Sequence, residues 1–291
     1  MFRNLSEGAK GAWCMIIGAL LLTSQDAISK WLTTDYHAGE ILFYRGFFSF
    51  IPIAILVAHA GSWRILGTRN FKSTMFRAIL GTATSIFVVL SFIHLPLATA
   101  LAIIFLSPIM LTALSVPLLG ERVGWHRWLA VFIGFAGVLL IVRPTGDGVV
   151  IYYIIPLITA LLSTFRDIAT RHMRGGDSSV SILFYSMLVA IVAGAISLPL
   201  FGTHWPSPSD WILFATAGTM IGISHLLTIQ ALLFAPGGTV APFKYLSLVY
   251  AAGIGYLVWG DVPDGWMIAG AALVVGAGLF ILHREMRRKG A

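Results

Sequence analysis

Seven ionisable residues lie inside or at the ends of long apolar runs: Asp26, Lys30, Arg45, Arg166, Asp167, Arg171 and Lys244. A charge at the centre of a bilayer costs roughly 2.5 to 3.5 kcal/mol on insertion scales, so such groups face a partner or water. Asp26 precedes Lys30 by one helical turn, and Asp167 precedes Arg171 in the same way, so each pair shares a helix face. Counted at about 1.5 Å per residue, Asp26 and Arg45 fall near one membrane face, and Asp167 and Lys244 near the other. The chemistry open to them is pairing that closes one side of a cavity at a time. Asp26 would pair with Arg45 or Lys30, and Asp167 with Lys244, Arg166 or Arg171. Static neutralisation within one helix, worth about 0.2 to 0.5 kcal/mol when exposed, is the plainer alternative. Asp26 is also a candidate proton acceptor, which leaves proton coupling, exchange and facilitated diffusion open.

Between those depths lie Thr23, Thr82, Ser85, Ser107, Ser163, Thr164, Ser224, His225, Tyr245 and Ser247. Hydroxyls suit the ammonium and carboxylate of an amino acid, and Pro108 and Pro242 remove backbone donors, freeing carbonyls nearby. The competing use of Ser and Thr in apolar helices is a bond to their own backbone or to a neighbouring helix. His225 needs a hydrogen-bond partner wherever it sits. Tyr245 offers a ring to an apolar or aromatic ligand, with core packing the default. No GxSxG, HExxH or P-loop occurs, and Cys14 is the sole cysteine, so an intramembrane enzyme is disfavoured and no cofactor, metal or intrachain disulfide is expected.

Helices in a bilayer must position these groups. The 291 residues are 58% hydrophobic and 11% charged, against about 25% charged in soluble domains. Ten apolar segments near the roughly 20-residue spanning length are predicted as helices. The first five are Gly11–Leu32, Gly39–Ala58, Thr74–His94, Leu97–Leu119 and Trp125–Val142. The second five are Val150–His172, Val180–Leu200, Asp210–Phe234, Gly238–Trp259 and Gly265–His283. Continuous apolar runs disfavour a β-barrel, whose strands alternate. The first segment resembles a signal peptide, but its place in the repeat described next makes it a retained helix.

The net charge of +7 is distributed in a way that speaks against nucleic acid. Of 19 Lys and Arg residues, 14 fall in one alternate set of loops and segment ends, while Lys30 and Arg143 alone fall in the other. The positive-inside rule then predicts that both termini are cytoplasmic.

Sliding the chain by 141 positions lays ALLLTSQDAISK (Ala19–Lys30) on ALLSTFRDIATR (Ala160–Arg171), matching Thr23 with Thr164 and Asp26 with Asp167. The same shift superposes the two ILFY stretches containing Tyr44 and Tyr185, a recurrence that argues for repeated packing before recognition. A shift of 140 matches Ser107 with Ser247 and sets Gly120-Glu121 on Gly260-Asp261. With five segments per half, the second half enters the membrane in the opposite sense. Inverted repeats of this kind are characteristic of carriers that rock around a midplane site.

The stretches VPLLGERVGWHRWLAVFIGFAGVLLIVRP (Val116–Pro144) and LVWGDVPDGWMIAGAALVVGAGLFILHRE (Leu257–Glu285) resemble the ends of the two EamA repeats of the drug/metabolite transporter superfamily. An arginine in segment 2, within FYRG, adds to the likeness, which covers nearly the whole chain. Among members it looks most like bacterial YddG-type amino-acid exporters. The resemblance implies an all-α inner-membrane carrier with repeats at 1–145 and 146–291. It further implies a central cavity among segments 1–4 and 6–9, peripheral segments 5 and 10, and export of amino acids or related metabolites. Glu121 and Asp261 are expected to be loop anchors. Export of cationic drugs and a channel are the competing functions. Small residues four apart, at Ala130 and Gly134, Gly218 and Gly222, and Ala272 and Gly276, leave a homodimer through segments 5 and 10 open, with intramolecular packing preferred.

Overall fold

An apolar run in lipid has to satisfy its own backbone, and a helix does so within the segment. In the computed structural model, which describes residues 6–119, 124–143, 150–173, 177–234 and 241–289, every predicted segment is helical. The α-helices are α1 Glu7–Leu32, α2 Ala38–Ala60, α3 Phe71–His94, α4 Leu97–Ile104, α5 Ser107–Leu119 and α6 Trp125–Val142. They continue as α7 Val150–His172, α8 Ser179–Phe201, α9 Pro208–Phe234, α10 Leu246–Trp259 and α11 Gly265–Lys289. Among the described residues, seven stretches are long and apolar enough to cross a membrane, and three shorter apolar helices, Trp128–Val142, Phe243–Trp259 and Gly265–Ile281, accompany them. Large apolar side chains such as Phe132, Leu200 and Leu257 stand exposed, as a lipid-facing surface requires. The Gly120-Glu121 turn and the expected start of segment 9 at Gly238 lie outside the described residues.

Local chemistry sets the helix ends. Ser6, Asn70 and Ser178 accept hydrogen bonds from first-turn N–H groups of α1, α3 and α8. His37 and Glu40 form a reciprocal capping box on α2. The fully buried Glu40 carboxylate also accepts from the His204 N–H at 2.6 Å, fastening the loop after α8 onto α2.

Segment 4 departs from expectation. A single helix over Leu97–Leu119 is predicted, but the chain breaks at Phe105 and Leu106. Pro108 has no N–H to offer the Ile104 carbonyl, so α4 stops there and a turn from Leu106 N to Ile103 O, at 2.9 Å, leads into α5. Segment 9 begins in the same irregular way, with a 3-10 turn over Ala241–Tyr245 before α10. The two interruptions meet, because the Phe105 and Tyr245 rings, partners under the 140-residue shift, lie 5.2 Å apart.

Packing is two-fold in pattern. The pairs α1–α9 and α2–α9 have counterparts in α7–α3 and α8–α3 when the halves are exchanged, and α2–α8, α4–α10 and α6–α11 map onto themselves. The α6–α11 pair is close: a Cβ on Gly137 would lie 2.7 Å from the Gly270 carbonyl oxygen. Gly134 packs on Ile109 and Gly222 on Pro52, so these small residues serve contacts within the chain, whereas Gly276 faces open space. The largest buried apolar cluster joins α3 to α6 with α10 and α11; a second surrounds Tyr36, Tyr44 and Phe214 at the N-terminal end of α2.

Candidate functional site

Where α1 meets α2, far from the N-terminal face, four polar residues are buried together. Arg45 Nη1 donates to Gln25 Oε1 and to Ser29 Oγ, each at 2.8 Å, and Gln25 Nε2 donates to Asp26 Oδ1. All four residues are at most 7% exposed. The Asp26–Arg45 pairing expected from depth is therefore indirect, with Gln25 as the bridge. Lys30 does not join Asp26. Its ammonium donates to the carbonyls of Phe92 at 3.1 Å and Leu95 at 2.7 Å and lies 5.4 Å from the Trp259 ring centroid. The C-terminal carbonyls of α3 have no intrahelical donors and carry the negative end of the helix dipole, so they take the cation that helix spacing assigns to Asp26.

The repeat-equivalent positions on α7 and α8 are built differently. Arg166 Nε and Nη2 both donate to Asp167 Oδ1, at 3.1 and 2.9 Å, and these side chains are 27% and 41% exposed. Thr170 and Ser186 stand where the first half has Ser29 and Arg45. Their hydroxyls accept from Arg77 of α3, from Nε at 3.1 Å and Nη1 at 2.6 Å. Exposed Lys244 interacts electrostatically with Asp167 and Arg166, and no ion pair within 4.0 Å joins it to them among the described residues. The Arg171 side chain lies outside the described residues.

A cavity of about 60 Å³ separates the two clusters, lined by Arg45, Arg77, Thr82, Ser85, Arg166 and His225 among others. His225 Nδ1 lies 2.8 Å from the Ile221 carbonyl, so this nitrogen carries the proton and leaves Nε2 as an acceptor. Thr82 Oγ1 is buried without a hydrogen-bond partner among the described residues, and so is Ser247 Oγ.

The remaining expected ligands do not gather here. Thr23 and Thr164 donate to Ala19 and Ala160 carbonyls of their own helices, at 2.9 and 2.8 Å. Thr164 also reaches the Ser107 carbonyl at 3.1 Å, and Ser224 donates to the Gly18 carbonyl at 2.9 Å. Ser163 is buried away from the lining, and Tyr245 packs on Phe105. Sequence reasoning missed Gln25, Ser29, Arg77 and Ser186. Three of them have polar counterparts under the 141-residue shift, so comparing polar positions, and not only identities, would have found them.

A larger crevice of about 460 Å³ opens at the other end, lined by Thr99, Arg143, Tyr153, Asp261, Asp264 and Met267 among others. Asp264 accepts from the Met267 N–H at 2.8 Å and from Arg143, which together hold its carboxyl below the usual carboxylate range. At the N-terminal face, burial raises the Asp177 carboxyl. Donation from Thr68 Oγ1 and the Arg69 N–H, both 2.6 Å, and from Thr74 outweighs it and leaves the group below its ordinary value.

Comparison with known proteins adds an independent line. The sequence model of the EamA-like transporter family matches residues 9–143 and again 150–283. The chain is 30% identical over 284 residues to an S-adenosylmethionine uptake transporter of Rickettsia prowazekii, covering 94% of this chain and 93% of that one. It is 26% identical to a riboflavin transporter of Rhizobium johnstonii, over 98% of this chain and 94% of that one. A pseudopaline exporter of Pseudomonas aeruginosa is 25% identical, over 92% and 94% of the two chains.

Proposed function

The chain belongs to the EamA-like transporter family and is a multi-pass membrane protein, and on that premise we propose that it carries amino acids or amino-acid-like metabolites by alternating access. The observation that carries this reading is the inequality of two matched aspartates. Asp26 is buried behind Gln25 and Arg45, while the Asp167 side chain is 41% exposed, so the ends of the molecule are closed to different degrees around a cavity. With halves 1–145 and 146–291 as inverted repeats, exchanging these two states opens the other side. The excess of Lys and Arg around the N-terminal face makes that face cytoplasmic in a bacterial inner membrane, with both termini inside and ten spans. The state described is then open inward, poised to load solute for export.

Amino-acid specificity is the finer part of the reading. It draws support from the relative that takes up S-adenosylmethionine, a compound bearing an α-ammonium and a carboxylate. That relative also favours a second reading, uptake by the same machinery. The test is counterflow into liposomes containing the purified protein, with labelled phenylalanine, S-adenosylmethionine, riboflavin and ethidium, with and without a pH gradient. Saturable exchange of the first two supports the proposal. Exchange of ethidium alone replaces it with drug export, and unsaturable flux replaces it with a channel.

A further inference from the structure

We propose that the small cavity between α3, α7 and α9 is an oxyanion subsite, where Arg77 and Arg166 hold a carboxylate or phosphate group of the solute. The proposal rests on the carrier reading above and deepens it by naming the chemical class that the cavity accepts. Three guanidinium groups, those of Arg45, Arg77 and Arg166, line the cavity, and no carboxylate does among the described residues. Arg45 has its charge answered by the Gln25–Asp26 cluster on α1. Arg77 shares the Asp167 charge with Arg166 at longer range and makes no hydrogen bond to a carboxylate among the described residues. It donates only to the neutral hydroxyls of Thr170 and Ser186, and its Nη2 is unengaged among the described residues.

Arg166 is only partly occupied. Its Nε and Nη2 converge on a single oxygen of Asp167, and Nη1 has no hydrogen-bond partner among the described residues. With Lys244 nearby, Arg77, Arg166 and Lys244 share the one carboxylate of Asp167 among the described residues. Cations kept within membrane-spanning helices are costly unless paired, and an incoming anion supplies the missing partner.

The neutral lining points the same way. Thr82 is 5% exposed, lines the cavity, and has a hydroxyl with no partner among the described residues. An oxyanion gives that buried O–H an acceptor. Size sets the limit on what enters: about 60 Å³ compares with roughly 30 Å³ for one water in the liquid, so the cavity takes a head group and not a whole metabolite. A planar guanidinium fork is suited to that group, because carboxylate and phosphate both offer two acceptor oxygens at matching spacing. A cationic solute without an oxyanion group would meet repulsion from the same groups.

The test is inhibition of counterflow by acids and their neutralised analogues, using the full-length protein in liposomes. The probes are labelled phenylalanine and labelled glycerol 3-phosphate. The competitors are phenylalanine, phenylalaninamide, phenethylamine, glycerol 3-phosphate and glycerol. The expected result is that whichever acid is carried outcompetes its neutralised analogue by about tenfold or more, the loss that accompanies one charge-assisted hydrogen bond. The phenylalanine and glycerol 3-phosphate arms show whether carboxylate or phosphate is the group taken. Arg166→Gln, which unties no other helix, and Arg77→Gln should each erase the preference, and Arg77→Lys should restore part of it. Equal competition by the amide and the amine, or a preference that survives both Gln variants, overturns the subsite and leaves the carrier reading standing. Absence of exchange for every probe, with ethidium and riboflavin also inert, overturns both.

Discussion

The α1–α2 cluster and the α7–α8 cluster occupy matched places in the repeat, yet one is dry and the other half open. In the first, a guanidinium from α2 is clamped by Gln25 and Ser29, and every member is buried. In the second, Ser186 replaces the arginine, Arg166 replaces the glutamine, and the guanidinium arrives from α3. Identical aspartates therefore sit in unequal surroundings. Duplication conserved the anion at each end and let the cation move between helices, and the two ends differ in what it costs to separate them.

Energetics should expose that difference. Arg45→Ala leaves Gln25 Oε1 and Ser29 Oγ buried without their donor, so a loss of about 3 to 5 kcal/mol and no measurable transport are expected. Arg77→Ala frees two half-buried hydroxyls that also bond to backbone, with a loss nearer 1 to 3 kcal/mol, on the order of a single charged hydrogen bond. Thermal unfolding in detergent measures both, and equal losses would break the contrast between the ends.

The aspartates provide a finer cut. Asp26→Asn is expected to destabilise by about 1 to 3 kcal/mol through the buried Gln25 contact. Asp167→Asn, at a solvated pair, should cost less than about 1 kcal/mol. If each closes one side in turn, transport should fall in both. Undiminished exchange in both variants at normal expression would sink the gating role.

The smallest effect belongs to the Asp177 clasp, which joins the α2–α3 connection to the start of α8. Its carboxyl is held below the ordinary value, so the ionised form stabilises the fold above the unfolded pKa of about 3.9, and that contribution disappears as pH falls through the lower folded value. Melting curves between pH 6 and 3 should show a decline that Asp177→Asn lacks. The expected size is under about 1 kcal/mol after solvent screening.

The helical segments were legible, and among the described residues seven of them as candidate spans, because a bilayer demands about 20 apolar residues per helix, whatever packs beside it. The interruption in segment 4 was half legible: Pro108 announced a missing donor, but only the tertiary fold turns that into two helices. Partner choice was not legible. Spacing sends Lys30 to Asp26, yet the end of α3 presents two carbonyls at closer range. Arg77 lies near the start of segment 3 and by position is a segment-end charge on the N-terminal face, because sequence shows where a Cα lies along a helix and not where a long, flexible arm brings its charge. Gln25 carries no charge and so gives no signal of this kind, although it bridges Asp26 and Arg45 at the closed end.

The tilted contact of the Phe105 and Tyr245 rings has a mechanical meaning under the proposed alternating access. Each belongs to the broken stretch of its own half, and exchanging the halves sends each ring to the other's place. Their contact therefore lies, like the α2–α8 and α6–α11 pairs, where exchange of the halves keeps the same neighbours. On the proposed alternating-access reading it would serve as a pivot, a hub from which α4 and α10 swing while the charged ends travel.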